Sequence, residues 1–343
     1  MTIRLAKDPL DVYNSKHECR QCGAGRRARK RCEACRGSGY ERIDLSNLWA
    51  PSPGFLVCGG PSLAEYNPEA FRARGILSLG VNNAAGFVPT TAHVFGDPQW
   101  KFHSGAYLDA KNLTFAPTGK LRRNIRVKFA DGTFHTVDRI LADCPGVFGF
   151  SRTTTFKAET FLTTPWAHWG RGGKQPKSDQ PFRRLATMLL GIRLLHYLGC
   201  PRVYLVGVDF WMSKEQPYAW GSVATSGNRL WAKISTMLGD LKPIFEDAGF
   251  HLFNCNAASK CEVFPHVPFV AAWTDCRGAI PPEPLDLQEW YSHNVRKAEY
   301  CPTCENQRGK RRRCKTCGGI GLWPPPVAFD EAARRVGETF RFG

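Results

Sequence analysis

No stretch of this chain reaches the roughly 18 consecutive apolar residues of a membrane-spanning helix. Its start, Met1-Thr-Ile-Arg-Leu-Ala-Lys-Asp8, lacks the apolar core of a signal peptide. These absences argue against membrane and secreted classes and point to the cytoplasm, the host-cell cytoplasm if the source is viral. Acidic residues are also scarce. Thirty Asp and Glu stand against 47 Lys and Arg, a net charge of +17. The surplus is uneven: +6 in residues 1–43, +6 in 296–318, +5 in 120–128 and +4 in 171–184. The rest of the chain is slightly acidic. Basic charge gathered into discrete segments is the footprint expected for contact with nucleic acid. The plainer alternative is a basic protein whose charged runs are simply solvated.

Cysteine, by contrast, is plentiful. Eight of the 14 cysteines form two blocks with identical spacing, Cys19-x2-Cys22-x9-Cys32-x2-Cys35 and Cys301-x2-Cys304-x9-Cys314-x2-Cys317. Two Cys-x2-Cys pairs close a tetrahedral four-cysteine site with no open position, which is a structural zinc site. Disulfides are disfavoured in a cytosolic context; an iron–sulfur cluster is the other alternative. Each block could close its own site, or the two ends could share ligands. Two filled sites would lower the working charge to about +13, because four thiolates on one Zn²⁺ leave about −2. Between the pairs lie Arg26, Arg27, Arg29, Lys30 and Arg31, and again Arg308, Lys310, Arg311, Arg312 and Arg313. Five charges per loop exceed what the thiolates require, so these loops suit phosphate contacts without base readout. Of the scattered cysteines, Cys58 and Cys200 read as core.

The 43% hydrophobic content at 343 residues suffices for one sizeable core. The blocks divide the chain into an N-terminal zinc module (1–43), a central domain (44–277), a Pro-rich linker (278–295), a C-terminal zinc module (296–323) and a tail (324–343). In the central domain, Phe55–Cys58, Leu77–Val81 and Ala92–Gly96 read as buried parallel strands. They exit into Gly59-Gly60-Pro61-Ser62, Asn82-Asn83 and Asp97. The glycine turn suggests backbone N–H groups approaching an anion. Leu113–Ala116 and Ile125–Phe129 read as strands joined by a basic hairpin. Residues 163–184 suggest a loop whose Trp166 and Trp169 either stack on bases or anchor a lid. Helical spacing over Arg184–Leu198 feeds a strand, Val203–Val208, that ends in Asp209. Arg229–Ala248 reads as an amphipathic helix interrupted near Pro243, and His251–Asn254 as a last strand. The predicted fold is α/β: a Rossmann-like, mainly parallel sheet with helices on both faces, plus two small terminal zinc modules.

Taken in order, Gly59-Gly-Pro-Ser-Leu63, Gly80-Val-Asn-Asn83, Val203-Tyr-Leu-Val-Gly-Val-Asp-Phe210 and Asn254…Ser259…Phe264-Pro265 make this stretch similar to the bacterial sialyltransferase-like superfamily. That group includes lipooligosaccharide sialyltransferases, flagellin-modifying motility-factor transferases and archaeal-type 6-hydroxymethylpterin diphosphokinases. The resemblance spans about residues 54–275. It implies a nucleotide or nucleotide-sugar donor held by Gly59, Gly60, Pro61, Ser62, Asn82, Asn83, Thr187 and Asn254. It also implies Asp209, with Asp97, as candidate general base or ligand of a divalent ion. The chain departs from the family in having Cys58-Gly59-Gly60 where the motif reads Gly-Asn-Gly, and in lacking a histidine at 221–229. His93, His103 and His168 are substitutes to test. Separately, Cys-x2-Cys-x-Gly-x-Gly at Cys32–Gly39 resembles the zinc repeat of J-domain co-chaperones. The combined expectation is a nucleotide-dependent transferase, of glycosyltransferase type, acting on DNA or RNA. A non-catalytic, zinc-stabilised nucleic acid-binding protein and a small-molecule diphosphokinase are the alternatives.

Overall fold

The computed structural model describes residues 12–19, 21–23, 31–33, 38–43, 45–97, 99, 102, 112–128, 133–144, 146–150, 158–163, 186–212, 216–220 and 228–278. Its strands, in chain order, are β1 (Val12–Glu18), β2 (Tyr40–Ile43), β3 (Gly54–Val57), β4 (Ser78–Val81), β5 (Ala92–Val94), β6 (Leu113–Pro117), β7 (Asn124–Lys128), β8 (Phe134–Ile140), β9 (Val147–Phe150), β10 (Arg202–Val206) and β11 (His251–Asn254). The longer helices are α1 (Thr187–Tyr197), α2 (Asn228–Asp247) and α3 (Phe269–Gly278). The chain divides into two compact units. The first comprises Met1–Val12, Ile43–Gly96 and Phe150–Leu285; the second comprises Tyr13–Arg42, Asp97–Gly149 and Asp286–Gly343.

The first unit is built on parallel strands in the order β11-β10-β3-β4-β5. This is the α/β, mainly parallel sheet that the apolar runs predict. Phe55, Leu56, Val57, Leu79, Val203, Leu205 and Val206 are all fully buried, as expected where both faces of a sheet are covered. Alternation along the strand divides them. Phe55 and Val57 pack with Tyr204, Val206, Phe71 and Phe269, and with Ala272 and Cys276 of α3. Leu56 meets α1, where it fills the space a side chain at Gly191 would need. α1 is buried almost all round rather than on one stripe, the mark of a helix enclosed by the core.

The chain enters this sheet at β3, moves outward through β4 to β5, and later returns to the other side of β3 as β10 and β11. Strand order therefore reverses between β3 and β10. In open parallel sheets the crevice outside such a reversal, at the carboxyl ends of the strands, is where ligands bind.

α2 runs unbroken to Asp247, with Pro243 inside it. The interruption predicted near Pro243 does not occur. Proline removes one helical hydrogen bond and crowds the carbonyl four residues back. That earlier residue is Gly239, at which even an added Cβ would meet nothing within 4 Å. Ile234, Leu238 and Leu241 before the proline and Phe245 after it are buried and hold the axis.

In the second unit the strand order is β6-β9-β1-β2. β7 pairs antiparallel with β8, and the Asp131-Gly132 turn signal between them lies outside the described residues. The expected basic hairpin between β6 and β7 is replaced by a one-turn helix, Thr118–Leu121. β7 alternates, burying Ile125 and Val127 completely. Of the basic residues in 120–128, Arg122 lies over the Tyr40 ring at 5.4 Å and Arg126 over Phe134 at 5.4 Å.

Candidate functional site

Asp209 follows β10 by three residues. Gly207, with φ +67°, turns the chain; a side chain there would collide with the Cys58 carbonyl. The Asp209 carboxylate then meets the loop after β3. The Ser62 N–H donates to Oδ2 at 3.2 Å, and the Asn256 amide donates to Oδ1. The Ser62 hydroxyl is close enough to favour the charged form but lies outside hydrogen-bonding geometry. The Asp209 backbone is fixed as well. Its carbonyl accepts from the Lys260 N–H at 2.8 Å, and the Val208 carbonyl accepts from Ser259 Oγ at 2.6 Å. Burial raises the Asp209 carboxyl above the ordinary carboxylate range. The Ser62 and Asn256 donors pull it back, and Glu65 adds to the rise. The surrounding protein, and then the Asp209 charge, push the Cys58 thiol up. Both effects disfavour the Cys58 thiolate, the form a nucleophile would need.

The two glycines of the turn are required by what fills the space around them. At Gly60 an added Cβ would run into Asp209 Oδ2, and at Gly59 into the Trp220 ring. Trp220 is itself stacked on Tyr218, ring centroids 5.2 Å apart and 3° from parallel. The sequence suggests that this turn offers free N–H groups to an anion. Instead Gly60 donates to the Gly207 carbonyl at 2.9 Å, Ser62 donates to Asp209, and Pro61 has no N–H. The chain's own carboxylate accepts from one of the N–H groups of this turn. Gly60→Ala should therefore displace Asp209 and lower stability by about 1–3 kcal/mol. Gly239→Ala, in open space on α2, should raise stability by up to about 1 kcal/mol. Urea melts of the two variants, expected to shift in opposite directions, check both.

A second group of polar atoms gathers where β4 ends. Asn82 adopts φ +55°. Its N–H donates to the Val94 carbonyl at 3.0 Å, and its carbonyl accepts from His93 Nε2 at 2.9 Å. Its amide nitrogen reaches Thr187 Oγ1 at 3.5 Å, and its Oδ1 is buried with no hydrogen-bond partner among the described residues. Thr187 opens α1, whose N-cap, Ala186, supplies no capping side chain. An uncapped helix start presents backbone N–H groups and a positive dipole end to an anion.

Other predicted positions fare differently. His93 is fully buried, and burial lowers its pKa to about 4. A carbonyl can only accept, so the ring is neutral with its proton on Nε2; His93 is structural and not the base. Asn254 is 2% exposed and bonded within its own loop, donating to Val208 and accepting from Asn256. It braces Asp209 and is not open to a donor. Asn83 accepts from the Gly86 N–H at 2.9 Å and starts the Ala84–Phe87 turn. Asp97 is exposed, three residues past β5. Asn256 is not among the residues that the sequence singles out. The one available signal for Asn256 was its position two residues after a strand-end asparagine. His103, His168 and most of 163–184 lie outside the described residues.

In the second unit, Cys19, Cys22 and Cys32 come together with their sulfurs all within 4.8 Å of one another. This cluster could hold a metal ion. Cys19 Sγ and Cys32 Sγ are 3.7 Å apart. A disulfide needs about 2.05 Å, whereas two thiolates on one tetrahedral zinc at about 2.3 Å lie about 3.8 Å apart. Cys19 and Cys32 are buried. The Cys19 N–H is held by the Gly39 carbonyl at 3.0 Å, and backbone N–H groups of Gln21 and Cys22 donate to its sulfur. Gly23, at φ +52°, makes the turn after the first pair. Arg31 is exposed beside Cys32. Cys35, the whole second block (Cys301, Cys304, Cys314, Cys317) and the remaining loop cations lie outside the described residues. No helix among the described residues is long and apolar enough to cross a membrane.

No protein-family model matches the chain, and no curated protein matches it. Among solved structures, the MAf glycosyltransferase from Magnetospirillum magneticum AMB-1 aligns with 12% identity and a TM-score of 0.35, over 86% of this chain and 50% of that one. This chain spans about half the length of that protein.

Proposed function

We propose that the chain is a nucleotide-dependent transferase of glycosyltransferase type that modifies DNA or RNA. The observation that carries this reading is Asp209. It is a carboxylate at the strand-order reversal, raised by burial and fixed by Ser62 and Asn256. A base poised above the ordinary carboxylate range suits proton removal from an acceptor hydroxyl or amine. Both of its oxygens already accept from N–H groups, which leaves fewer lone pairs for a metal ion. The donor phosphate is assigned to the uncapped start of α1, beside Asn82 and Thr187, with Gly59 and Gly60 shaping the adjoining wall. Cys19, Cys22 and Cys32, with Cys35 as fourth ligand, form a structural zinc site. The repeated spacing assigns the same to Cys301, Cys304, Cys314 and Cys317. Their basic loops grip the polyanionic acceptor.

The test is mass spectrometry of nucleosides from cells expressing the protein or its Asp209→Ala variant. A modified nucleoside present only with the native chain supports the reading; identical profiles overturn it. One observation favours a second reading, a non-catalytic nucleic acid-binding protein. Asp209 already accepts the Ser62 N–H in the loop after β3, a donor that an incoming phosphate would otherwise use. Binding of an oligonucleotide with no binding of any nucleotide donor would select it.

Replacing Arg26, Arg27, Arg29, Lys30 and Arg31 together with alanine should weaken nucleic acid binding and flatten its salt dependence. Each lost phosphate contact should remove about 0.7–0.9 from the slope of log K against log salt. An unchanged slope would remove the loop from the interface.

A further inference from the structure

We infer that an open groove beside Asp209 receives one unpaired nucleotide of the acceptor strand. This rests on the nucleic acid-modifying function proposed above and deepens it by placing the acceptor. The groove has a volume of about 460 Å³ and is lined by Phe210, Trp211, Asn228, Trp231, Ser235 and Lys260. Both of its sides are tied to Asp209. Phe210 and Trp211 follow it in the chain, and the Lys260 N–H holds its carbonyl.

The exposure of Trp211 is the feature that needs a ligand. Trp211 is 56% exposed, yet its surroundings are fixed. Phe210 is held at φ +55°, an unfavourable backbone state for a bulky side chain. Its ring packs on Trp231 with centroids 5.5 Å apart. On the other side, Met212 is clamped by Asn228, which accepts from its N–H at 2.9 Å and donates to its carbonyl at 3.3 Å. A large aromatic ring is thus set on an ordered backbone and left facing water. Trp231 Nε1 lines the same region as a buried donor with no partner among the described residues.

The chemistry of the lining selects the ligand. Aromatic faces stack on flat π-systems, and a base stacks on them whatever its sequence. Lys260, exposed at the rim, supplies a cation for a phosphate. A neutral saccharide would use the rings and leave the lysine idle, and a lipid tail would gain nothing from it. A nucleotide uses both. An unpaired or flipped-out base bound here would lie next to the Asp209 segment, where an enzyme acting on a base must bring it.

The experiment uses the full chain and two fluorescent single-stranded tetramers, one of four thymidines and one with the same phosphates but no bases. Trp211→Ala should weaken binding of the thymidine tetramer about tenfold, within the range of one lost base–aromatic stack. It should leave the abasic tetramer unchanged. Lys260→Met should reduce the salt slope for the thymidine tetramer by about 0.7. Native-like binding of the thymidine tetramer by Trp211→Ala overturns the groove assignment while leaving the nucleic acid-modifying function standing. If the native chain binds neither tetramer, that function fails and the assignment fails with it. If Trp211→Ala loses only free thymidine monophosphate and keeps the tetramer, the groove belongs to the donor and the acceptor assignment is overturned.

Discussion

Cys32→Ser should cost the protein about one equivalent of zinc per chain, read by atomic absorption on protein purified with the metal. The expectation follows from coordination. A closed four-thiolate site has no spare ligand, and a serine hydroxyl is a poor replacement for a thiolate. Cys32 and Cys19 lie at the S···S distance that one tetrahedral zinc imposes, and both are buried. The loss should also be a folding loss, because structural zinc contributes on the order of 10–16 kcal/mol to the small domains it closes. The first thermal transition should therefore fall well below that of the native chain, and chelator should produce the same shift in the native protein. Cys58→Ser, at a thiol outside the cluster, should keep full zinc. Full zinc in Cys32→Ser would mean that the block is not a four-cysteine site.

Asp209→Asn should lower the transfer rate by about 10²–10⁴-fold, the usual contribution of a general base, without unfolding the protein. Its stability should show a particular pH dependence. The folded state raises the Asp209 pKa, so it binds that proton more tightly than the unfolded chain does. The resulting stabilisation is fully present below the unfolded pKa, about 3.9. It is lost as pH rises through the folded pKa. At neutral pH the ionised carboxylate is held against its desolvation cost, and asparagine relieves that cost. The difference in Tm between Asp209→Asn and the native chain should thus move in favour of the variant between pH 4 and pH 7. Movement in the opposite direction would show that Ser62 and Asn256 outweigh burial. Undiminished transfer by the variant would remove Asp209 from the chemistry.

Much of this architecture is legible without coordinates, for identifiable reasons. Strands buried on both faces need apolar residues at every position, so Phe55–Val57 and Val203–Val206 announce themselves as parallel core. Strand ends in such sheets need small or polar residues, which picks out Gly59, Gly60, Asn82 and Asp209. Paired cysteines at fixed spacing predict a cluster, and Cys19, Cys22 and Cys32 of the first block do come together. Less legible is anything decided by a partner distant in sequence. Pro243 predicts a break, but buried apolar side chains on both sides carry α2 through it. The β7 strand has the composition to pair with β6, but it pairs antiparallel with β8 instead. Asn254 and Asn256 look alike from the sequence; only the loop's hydrogen bonds make one a brace and the other a direct partner of Asp209.

The glycine turn shows the division most clearly. By itself the sequence determined that the backbone after β3 must be approached closely, because Gly59 and Gly60 leave no room for any other purpose. It could not determine by what. Tertiary structure decided that, by reversing strand order between β3 and β10. Two loops 147 residues apart in the chain, Ser62 and Asp209, thereby meet at hydrogen-bonding distance. Of the backbone N–H groups that look free for a phosphate, that of Ser62 is taken by a distant side chain and that of Gly60 by the Gly207 carbonyl, neither of which a local pattern could supply. The turn becomes the seat of the carboxylate on which the proposed chemistry depends.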